Sequence, residues 1–175
     1  MVDENWSADF PSNCEDSQLN IPAAPIIGRV LALDVGKKRI GLALSDALGI
    51  TAQGIETLQR TRIREDLEWF AQLVEDQGVV EFLVGLPLHM SGDESRQSAH
   101  TREFAERLQR RTGLTVEYWD ERWTSVQAER MLRDSGVKVD RKDGTVDRIS
   151  AVILLESYLD SLRYADAERA SEESD

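Results

Sequence analysis

The sequence predicts an α/β fold, a mixed five-stranded sheet with helices on its faces. Two observations lead to this fold class. Three strand-like segments follow one another between residues 29 and 59, with no helical pattern between them. After residue 60, helical and strand-like segments alternate, which gives the order β-β-β-α-β-α-β-α-α. Consecutive strands followed by such alternation are typical of a mixed sheet covered by helices.

The strands are predicted from short apolar segments bounded by turn residues. They are RVLALDV (29–35), RIGLALSD (39–46), TAQGIETLQ (51–59), VVEFLVGLP (79–87) and LTVEYWD (114–120). The first two strands are joined at GKK, where Gly36 gives the turn its conformational freedom. The fourth strand is a continuous apolar run, which indicates a strand covered on both faces.

The helices are predicted from helical spacing of apolar residues and from their end signals. They span 62–78, 91–113, 124–136 and 148–165. Thr61 is expected to cap the first helix and Gly78 to end it. The second helix starts with the capping-box spacing of Ser91 and Glu94, and the third has the same kind of start.

Charge and composition divide the chain into a core and two acidic ends. Net charge is −12 over 175 residues, of which residues 1–27 carry −5 and residues 160–175 carry −4. We expect an acidic, disordered N-terminal tail (1–27), one domain (28–162) and an acidic C-terminal tail (163–175). The overall charge argues against a general nucleic-acid binder. The near-balanced core can still present a basic face.

Other sequence features limit the compartment and the chemistry. The single cysteine, Cys14, allows no internal disulfide and makes a cysteine-based metal site implausible. The acidic N-terminus lacks the order of a signal peptide, and no apolar run has the length of a membrane span. We therefore expect a cytoplasmic protein without membrane association.

Three acids stand out for their positions. Asp34 lies inside the first apolar strand, Glu121 follows the fifth strand in WDERW, and Asp147 begins the last helix in TVDRIS. A carboxylate in an apolar strand is costly to bury unless something pairs with it. Strand ends and helix starts can meet at one edge of a sheet. Three carboxylates there would repel one another unless a hard cation held them, and Mg²⁺ and Mn²⁺ prefer such oxygen ligands.

Each acid also has an ordinary explanation. Asp34 can pair with a base of the adjoining GKKR turn. Glu121 can be an exposed loop acid beside an arginine, and Asp147 can be a helix-terminal acid stabilised by the helix dipole. The carboxylates alone therefore leave the function open.

Four longer segments are more specific than the single acids. LALDVGKKRIGLALSD, FLVGLPLHMSGDESRQS, VEYWDERWTSVQAERML and VDRISAVILLESYLD occur in this order. Together they resemble the YqgF/RuvX family, whose members are described as Holliday junction resolvases or pre-16S rRNA nucleases. The likeness covers roughly residues 28–160 and leaves out both acidic ends. It implies a ribonuclease H-like fold in which Asp34, Glu121 and Asp147 are the catalytic, metal-binding acids.

The resemblance also points to substrate contacts. It draws attention to Lys38 in GKKRIG, to Gly85 in VGLP and to Arg122 in DER. Gly36 is expected to let the chain turn tightly beside a substrate phosphate. Arg96 is expected to contact the substrate from the start of the second helix.

Arg96 also belongs to a possible basic stripe on the second helix. Its members, Arg96, His100, Arg107 and Arg111, are spaced by 4, 7 and 4 residues. Such a stripe can neutralise a phosphate backbone, although a solvated, salt-bridged face is the alternative. Lys37 stands where family members often have threonine, which adds one positive charge to the turn.

The resemblance implies a nuclease that uses Mg²⁺ or Mn²⁺, with the 5′ leader of precursor 16S rRNA as the preferred substrate. Its partners would be structured RNA and the assembling ribosome, with the protein a monomer or a weak homodimer. The alternatives are resolution of four-way DNA junctions, which needs a dimer, and a non-catalytic ribosome-associated RNA-binding role. An actin-like phosphotransferase has a similar first loop, but it needs a second domain for which 175 residues leave no room.

Overall fold

Six strands and three helices make up the part of the chain that the computed structural model describes, residues 28–86, 96–120 and 144–172. The strands are β1 (Arg29–Val35), β2 (Arg39–Ser45), β3 (Ala52–Gly54), β4 (Leu58–Gln59), β5 (Val79–Leu86) and β6 (Thr115–Asp120). The helices are α1 (Ile63–Gln77), α2 (Arg96–Thr112) and α3 (Thr145–Glu172). The predicted helix 124–136 and both predicted capping boxes lie outside the described residues.

The strands form one mixed sheet in the order β3-β2-β1-β5-β6, with β4 beside β2. β1 pairs antiparallel with β2 and parallel with β5, which pairs parallel with β6. The predicted fold class is therefore confirmed, with six strands where five were predicted. The segment 51–59 forms two short strands because Thr57, between them, donates its hydroxyl to the carbonyl of Gly144 (3.0 Å) just before α3.

The sheet separates two apolar layers. Leu31, Leu33 and Val35 of β1 belong to the layer that contains Phe70 of α1 and Phe104 of α2. The alternate β1 residues, Val30 and Ala32, pack in the layer under α3, which includes Ala151, Leu154, Leu155 and Tyr158. Since side chains along a strand alternate between faces, Asp34 falls on the α3 side of the sheet.

The ends of α1 show one wrong prediction and one confirmed. Residue Arg62 occupies the N-cap position and no side chain caps the helix. Thr61, the predicted cap, instead donates its backbone N–H and its hydroxyl to the buried carboxylate of Asp66 (3.0 and 3.1 Å). Gly78 ends the helix as predicted, in a left-handed conformation with φ 66°, and its N–H bonds to the carbonyl of Val74 (3.0 Å).

The last helix is longer than predicted, because α3 begins before residue 148 and continues through Glu172. Residues 166–172, which lie beyond the predicted helix and within the predicted acidic C-terminal tail, are helical as well. Ion pairs one turn apart, Arg163 with Asp160 and Arg169 with Asp166, support this end of the helix. The domain limits at 27 and 162 stay a prediction. Neither α3 nor any other described helix is long and apolar enough to cross a membrane.

A buried polar group lies under α3, away from the strand ends that carry the predicted site. Tyr158 of α3 donates its hydroxyl to Glu81 of β5 (2.8 Å). Burial raises the pKa of Glu81, the charge of Glu117 raises it further, and the Tyr158 hydrogen bond lowers it. Burial therefore disfavours the ionised form of Glu81 in the folded protein.

Glu81→Gln is expected to raise the free energy of unfolding at neutral and alkaline pH. The amide removes the charge but still accepts the Tyr158 hydrogen bond. Because the folded pKa of Glu81 lies above its ordinary value of 4.5, the wild type loses stability as pH rises through the folded pKa. The gain should therefore vanish below about pH 4.5. Urea denaturation of both proteins across this range checks it, and a mutant less stable at about pH 8 would contradict it.

Candidate active site

Asp34 lies near the carboxyl end of β1, on the face that α3 covers. Its backbone pairs with Gly41 of β2, and its side chain is partly buried. The strand holds this carboxylate rigidly because its neighbours are part of the core on both faces. Asp34 is thus placed where the last helix begins.

The start of α3 packs directly on β2 because Gly41 has no side chain. A Cβ at Gly41 would overlap the carbonyl group of Asp147 and would lie 3.0 Å from the backbone nitrogen of Arg148. Gly54 of β3 gives a second close approach, since a Cβ there would lie 2.7 Å from Cγ of Arg148. These two glycines bring the first turn of α3 against the strand that pairs with Asp34.

Asp34 of β1 and Asp147 of α3 are therefore close enough to interact electrostatically. Burial and the negative charge of Asp147 raise the pKa of Asp34 to about 6, while a hydrogen bond with the Ser150 side chain opposes the shift. Asp147 and Ser150 are three residues apart, so they share one face of α3. Both act on the same carboxylate.

Arg39, the first residue of β2, contacts the second acid. Its Nε donates to Oδ2 of Asp147 at 2.7 Å, and both side chains are only about a quarter exposed (25% and 29%). A charged hydrogen bond of this length fixes the orientation of the carboxylate. The side chain of Asp147 is thus fixed by Arg39 of β2. The start of its helix can pack on β2 because Gly41 has no side chain.

The donor set is suited to a hard divalent cation. Asp34 and Asp147 offer carboxylate oxygens, the ligands that Mg²⁺ and Mn²⁺ prefer, and their mutual repulsion is what a cation between them would relieve. The third predicted acid, Glu121, lies outside the described residues, directly after Asp120 at the end of β6. In the described ranges no group of three or more metal-ligating side chains occurs.

The turn between β1 and β2 stands beside this pair of acids. The N–H of Gly36 bonds to the carbonyl of Arg39 (2.9 Å), and a Cβ at Gly36 would lie 2.7 Å from the same oxygen. Glycine is needed here for close approach, and its φ is not in the left-handed region. Lys37 and Lys38, at the tip, are exposed. The predicted tight turn is thus present, with two lysines facing solvent.

Comparison with known proteins identifies the family. Residues 28–161 match the family described as "RuvX: Holliday junction resolvase". The chain belongs to the RuvX family. A "Putative pre-16S rRNA nuclease" of Koribacter versatilis is 48% identical over 133 residues, which are 76% of this chain and 87% of that protein. A protein of the same name from Myxococcus xanthus is 40% identical over 140 residues, 80% of this chain and 93% of its own.

The solved structures support the fold. RuvC of T. thermophilus, in a complex with a Holliday junction substrate, superposes with a TM-score of 0.50 at 13% identity. The match covers 77% of this chain and 96% of RuvC. At this identity the likeness concerns the fold alone, and it agrees with the ribonuclease H-like architecture that the sequence predicted for a RuvX family member.

The other residues predicted for the site lie near the end of β5, at the start of α2 or outside the described ranges. Gly85 is buried in the penultimate position of β5, paired with Trp119 of β6. Arg96 is the exposed first residue of α2. Arg122, like Glu121, lies outside the described residues. The roles of all these residues as catalytic, metal or substrate contacts stay predictions.

The sequence did not single out two residues that contact the predicted acids, Arg39 and Ser150. The sequence offers Arg39 as a partner of the nearby Asp34, whereas in the structure it pairs with Asp147. Ser150 stands in the quoted VDRISA segment, and its spacing of three from Asp147 was the available signal. Arg39 and Ser150 are recognisable in the sequence as polar residues. Their partners are not, because these depend on how α3 packs on the sheet.

Proposed function

We propose that this RuvX family member is a divalent-metal-dependent nuclease that hydrolyses phosphodiester bonds. The observation that carries the proposal is the meeting of Asp34 and Asp147 at one edge of the sheet. Burial and the negative charge of Asp147 raise the pKa of Asp34, and a carboxylate perturbed by both causes is a candidate for a functional site. The names of the family and of its relatives as resolvase and nuclease support the same reaction class.

In this proposal Asp34, Asp147 and Glu121 hold Mg²⁺ or Mn²⁺. When bound, such ions polarise the scissile phosphate and make water a stronger nucleophile. Asp34 contributes a rigid carboxylate from the strand, which Ser150 orients. Arg39 keeps Asp147 directed across β2 and adds positive charge beside the phosphate. Lys38 and the close turn at Gly36 contact the substrate backbone.

The preferred substrate is the 5′ leader of precursor 16S rRNA, processed in the cytoplasm during ribosome assembly. The relatives at 48% and 40% identity carry pre-16S rRNA in their names. The near-neutral core of the domain is compatible with a local basic face rather than with general nucleic-acid binding. A local basic face of this kind suits a folded RNA, in which several phosphates lie close together.

A four-way DNA junction is the second candidate substrate. The description of the RuvX family and the fold shared with RuvC favour it. This reaction needs two active sites acting on opposed strands, so it requires a dimer. A non-catalytic ribosome-associated RNA-binding protein would keep the fold and need no metal.

One assay separates these functions. The full chain is incubated with Mg²⁺, with Mn²⁺ or with a chelator, and with end-labelled leader RNA, a four-way DNA junction or duplex controls. We expect metal-dependent cleavage of the leader RNA. Symmetric nicking of the junction alone would favour the second candidate. RNA binding without cleavage under any metal condition would favour the non-catalytic protein and contradict the nuclease.

A further inference from the structure

The basic stripe predicted on α2 is divided by its ion pairs. At the carboxyl-terminal end of the helix, Arg107 pairs with Glu103 (2.6 Å) and Arg111 pairs with Glu68 of α1 (2.8 Å). At the other end, Arg96 is exposed and has no ion pair among the described residues. Among the members of the stripe, the two at the start of α2, Arg96 and His100, have no ion pair with a described carboxylate.

Arg60 joins this end of α2 to the turn between β1 and β2. Its backbone N–H bonds to the carbonyl of Lys38 (2.9 Å), and its Nη1 donates to the carbonyl of Gly36 (3.1 Å). The same Nη1 lies 3.1 Å from Nε2 of His100, one turn after Arg96 on α2. One side chain therefore holds the turn and the helix together.

Arg60 is itself fixed and largely removed from solvent. Its Nε lies 3.6 Å from the buried carboxylate of Asp66, and its guanidinium lies 5.0 Å from the ring centre of Phe104. Its side chain is only 11% exposed. Arg60 is thus placed to position other groups rather than to bind a ligand directly.

The contact with Arg60 determines what His100 presents to solvent. A guanidinium can only donate hydrogen bonds, so Nε2 of His100 must accept. In this geometry the ring proton lies on Nδ1, which makes that nitrogen a donor. His100 is exposed, so its Nδ1–H can be donated to a phosphate oxygen without a formal charge.

We propose that Lys37, Lys38, His100 and Arg96 form one phosphate-binding surface for the nucleic-acid strand next to the scissile bond. Lys37 and Lys38 are exposed and have no ion pair in the described part of the chain. Arg60 is the positioning residue that keeps the two lysines and the start of α2 side by side. The proposal rests on the proposed nuclease function, since it assigns the path of the same substrate.

The two α2 contacts should differ in their salt dependence. A cation that neutralises a phosphate releases counterions, so each such contact contributes about 0.7 to the slope of log K against log salt for a single strand. A neutral donor releases none. Arg96→Ala should therefore lower both the affinity and the slope, whereas His100→Ala should lower the affinity about fivefold and leave the slope unchanged.

The test measures binding of a short end-labelled RNA by fluorescence anisotropy over a range of KCl concentrations. All variants are made in full-length Asp34→Asn protein, so that cleavage does not interfere. His100→Gln should restore most of the affinity, because its amide can accept from Arg60 and donate to phosphate. Arg110→Ala is the matched control on the same helix, since Arg110 lies 3.9 Å from Glu106 at the far end, and it should leave Kd and slope unchanged.

A double-mutant cycle tests the role of Arg60. Arg60→Lys keeps the charge but loses the two-sided contact, so adding His100→Ala to it should cause little further loss of affinity. Additive losses would show that Arg60 does not act through His100. Equal effects of Arg96→Ala and Arg110→Ala, or none from His100→Ala, would overturn the proposed surface.

Failure of the surface is distinguishable from failure of the proposed function. If wild-type protein cleaves RNA while the α2 variants bind like their parent, only the surface is wrong. If the parent binds RNA with the predicted pattern and the wild type never cleaves, the surface is supported and the nuclease activity is wrong. If the parent binds neither RNA nor a DNA junction, both are wrong.

Discussion

Asp34→Asn is expected to abolish cleavage and, at the same time, to stabilise the metal-free protein at neutral pH. Loss of a metal-holding carboxylate removes several kcal/mol of transition-state stabilisation, so the rate should fall by about a thousandfold or more. The stabilisation follows from the pKa of Asp34, which burial and Asp147 raise from 3.8 to about 6. A neutral amide avoids this cost, which is at most about 3 kcal/mol.

The stabilising effect should depend on pH in a defined direction. Between the unfolded pKa of 3.8 and the folded pKa of about 6, the folded protein binds more protons at Asp34 than the unfolded chain does. Its stability therefore falls as pH rises through this window. The advantage of Asp34→Asn should be near zero at about pH 4 and fully present at about pH 8.

Chelator-treated proteins compared by urea denaturation at both pH values check the stability, and release of labelled RNA fragments checks the activity. Asp76→Asn is the matched control, because Asp76 is an exposed acid of α1 whose carboxylate accepts a hydrogen bond from Gln72 (3.0 Å). It should change stability by no more than about 0.5 kcal/mol and leave cleavage intact. Retained cleavage in Asp34→Asn, or lower stability at about pH 8, would contradict the assignment.

Gly41→Ala is expected to damage both the fold and the site. The added methyl group would overlap the backbone carbonyl of Asp147. Backbone cannot move aside as a side-chain end can, so the start of α3 must shift away from β2. Overpacking of this kind costs about 3 kcal/mol, and the shift also separates Asp147 from Asp34 and Arg39. Cleavage should fall by at least about a hundredfold, since misplacement by about 1 Å can cost that much.

Gly78→Ala is the control for the loss of a glycine. Gly78 ends α1 with φ 66°, and a Cβ there would meet no atom within 4 Å. Only the backbone preference is lost, so the cost should be about 1 kcal/mol with normal cleavage. Thermal unfolding and the RNA assay compare the two variants. Equal stability losses in both, with Gly41→Ala still active, would show that α3 does not need the close approach at Gly41.

Local patterns predicted most of the fold. The apolar runs at β1, β2, β5 and β6 and the helical spacing of α1 appear where they were predicted. These elements follow from residue spacing and burial, which are visible in a short window. The break in 51–59 was not visible, because it depends on a hydrogen bond from Thr57 to a residue far along the chain. The prediction that Thr61 caps α1 was wrong because Thr61 donates its backbone N–H to the carboxylate of Asp66 instead.

By itself, the sequence determined the family, the mixed sheet and the suspicion that Asp34 and Asp147 act together. An acid in an apolar strand and an acid at a helix start are unusual enough to be noticed without coordinates. Only the tertiary structure decided that Asp147 pairs with Arg39, that Ser150 bonds to Asp34 and that Arg60 links the turn to α2. These contacts join residues from separate elements. The first two depend on how closely Gly41 and Gly54 let α3 approach the sheet, and the third on how α2 docks beside the turn.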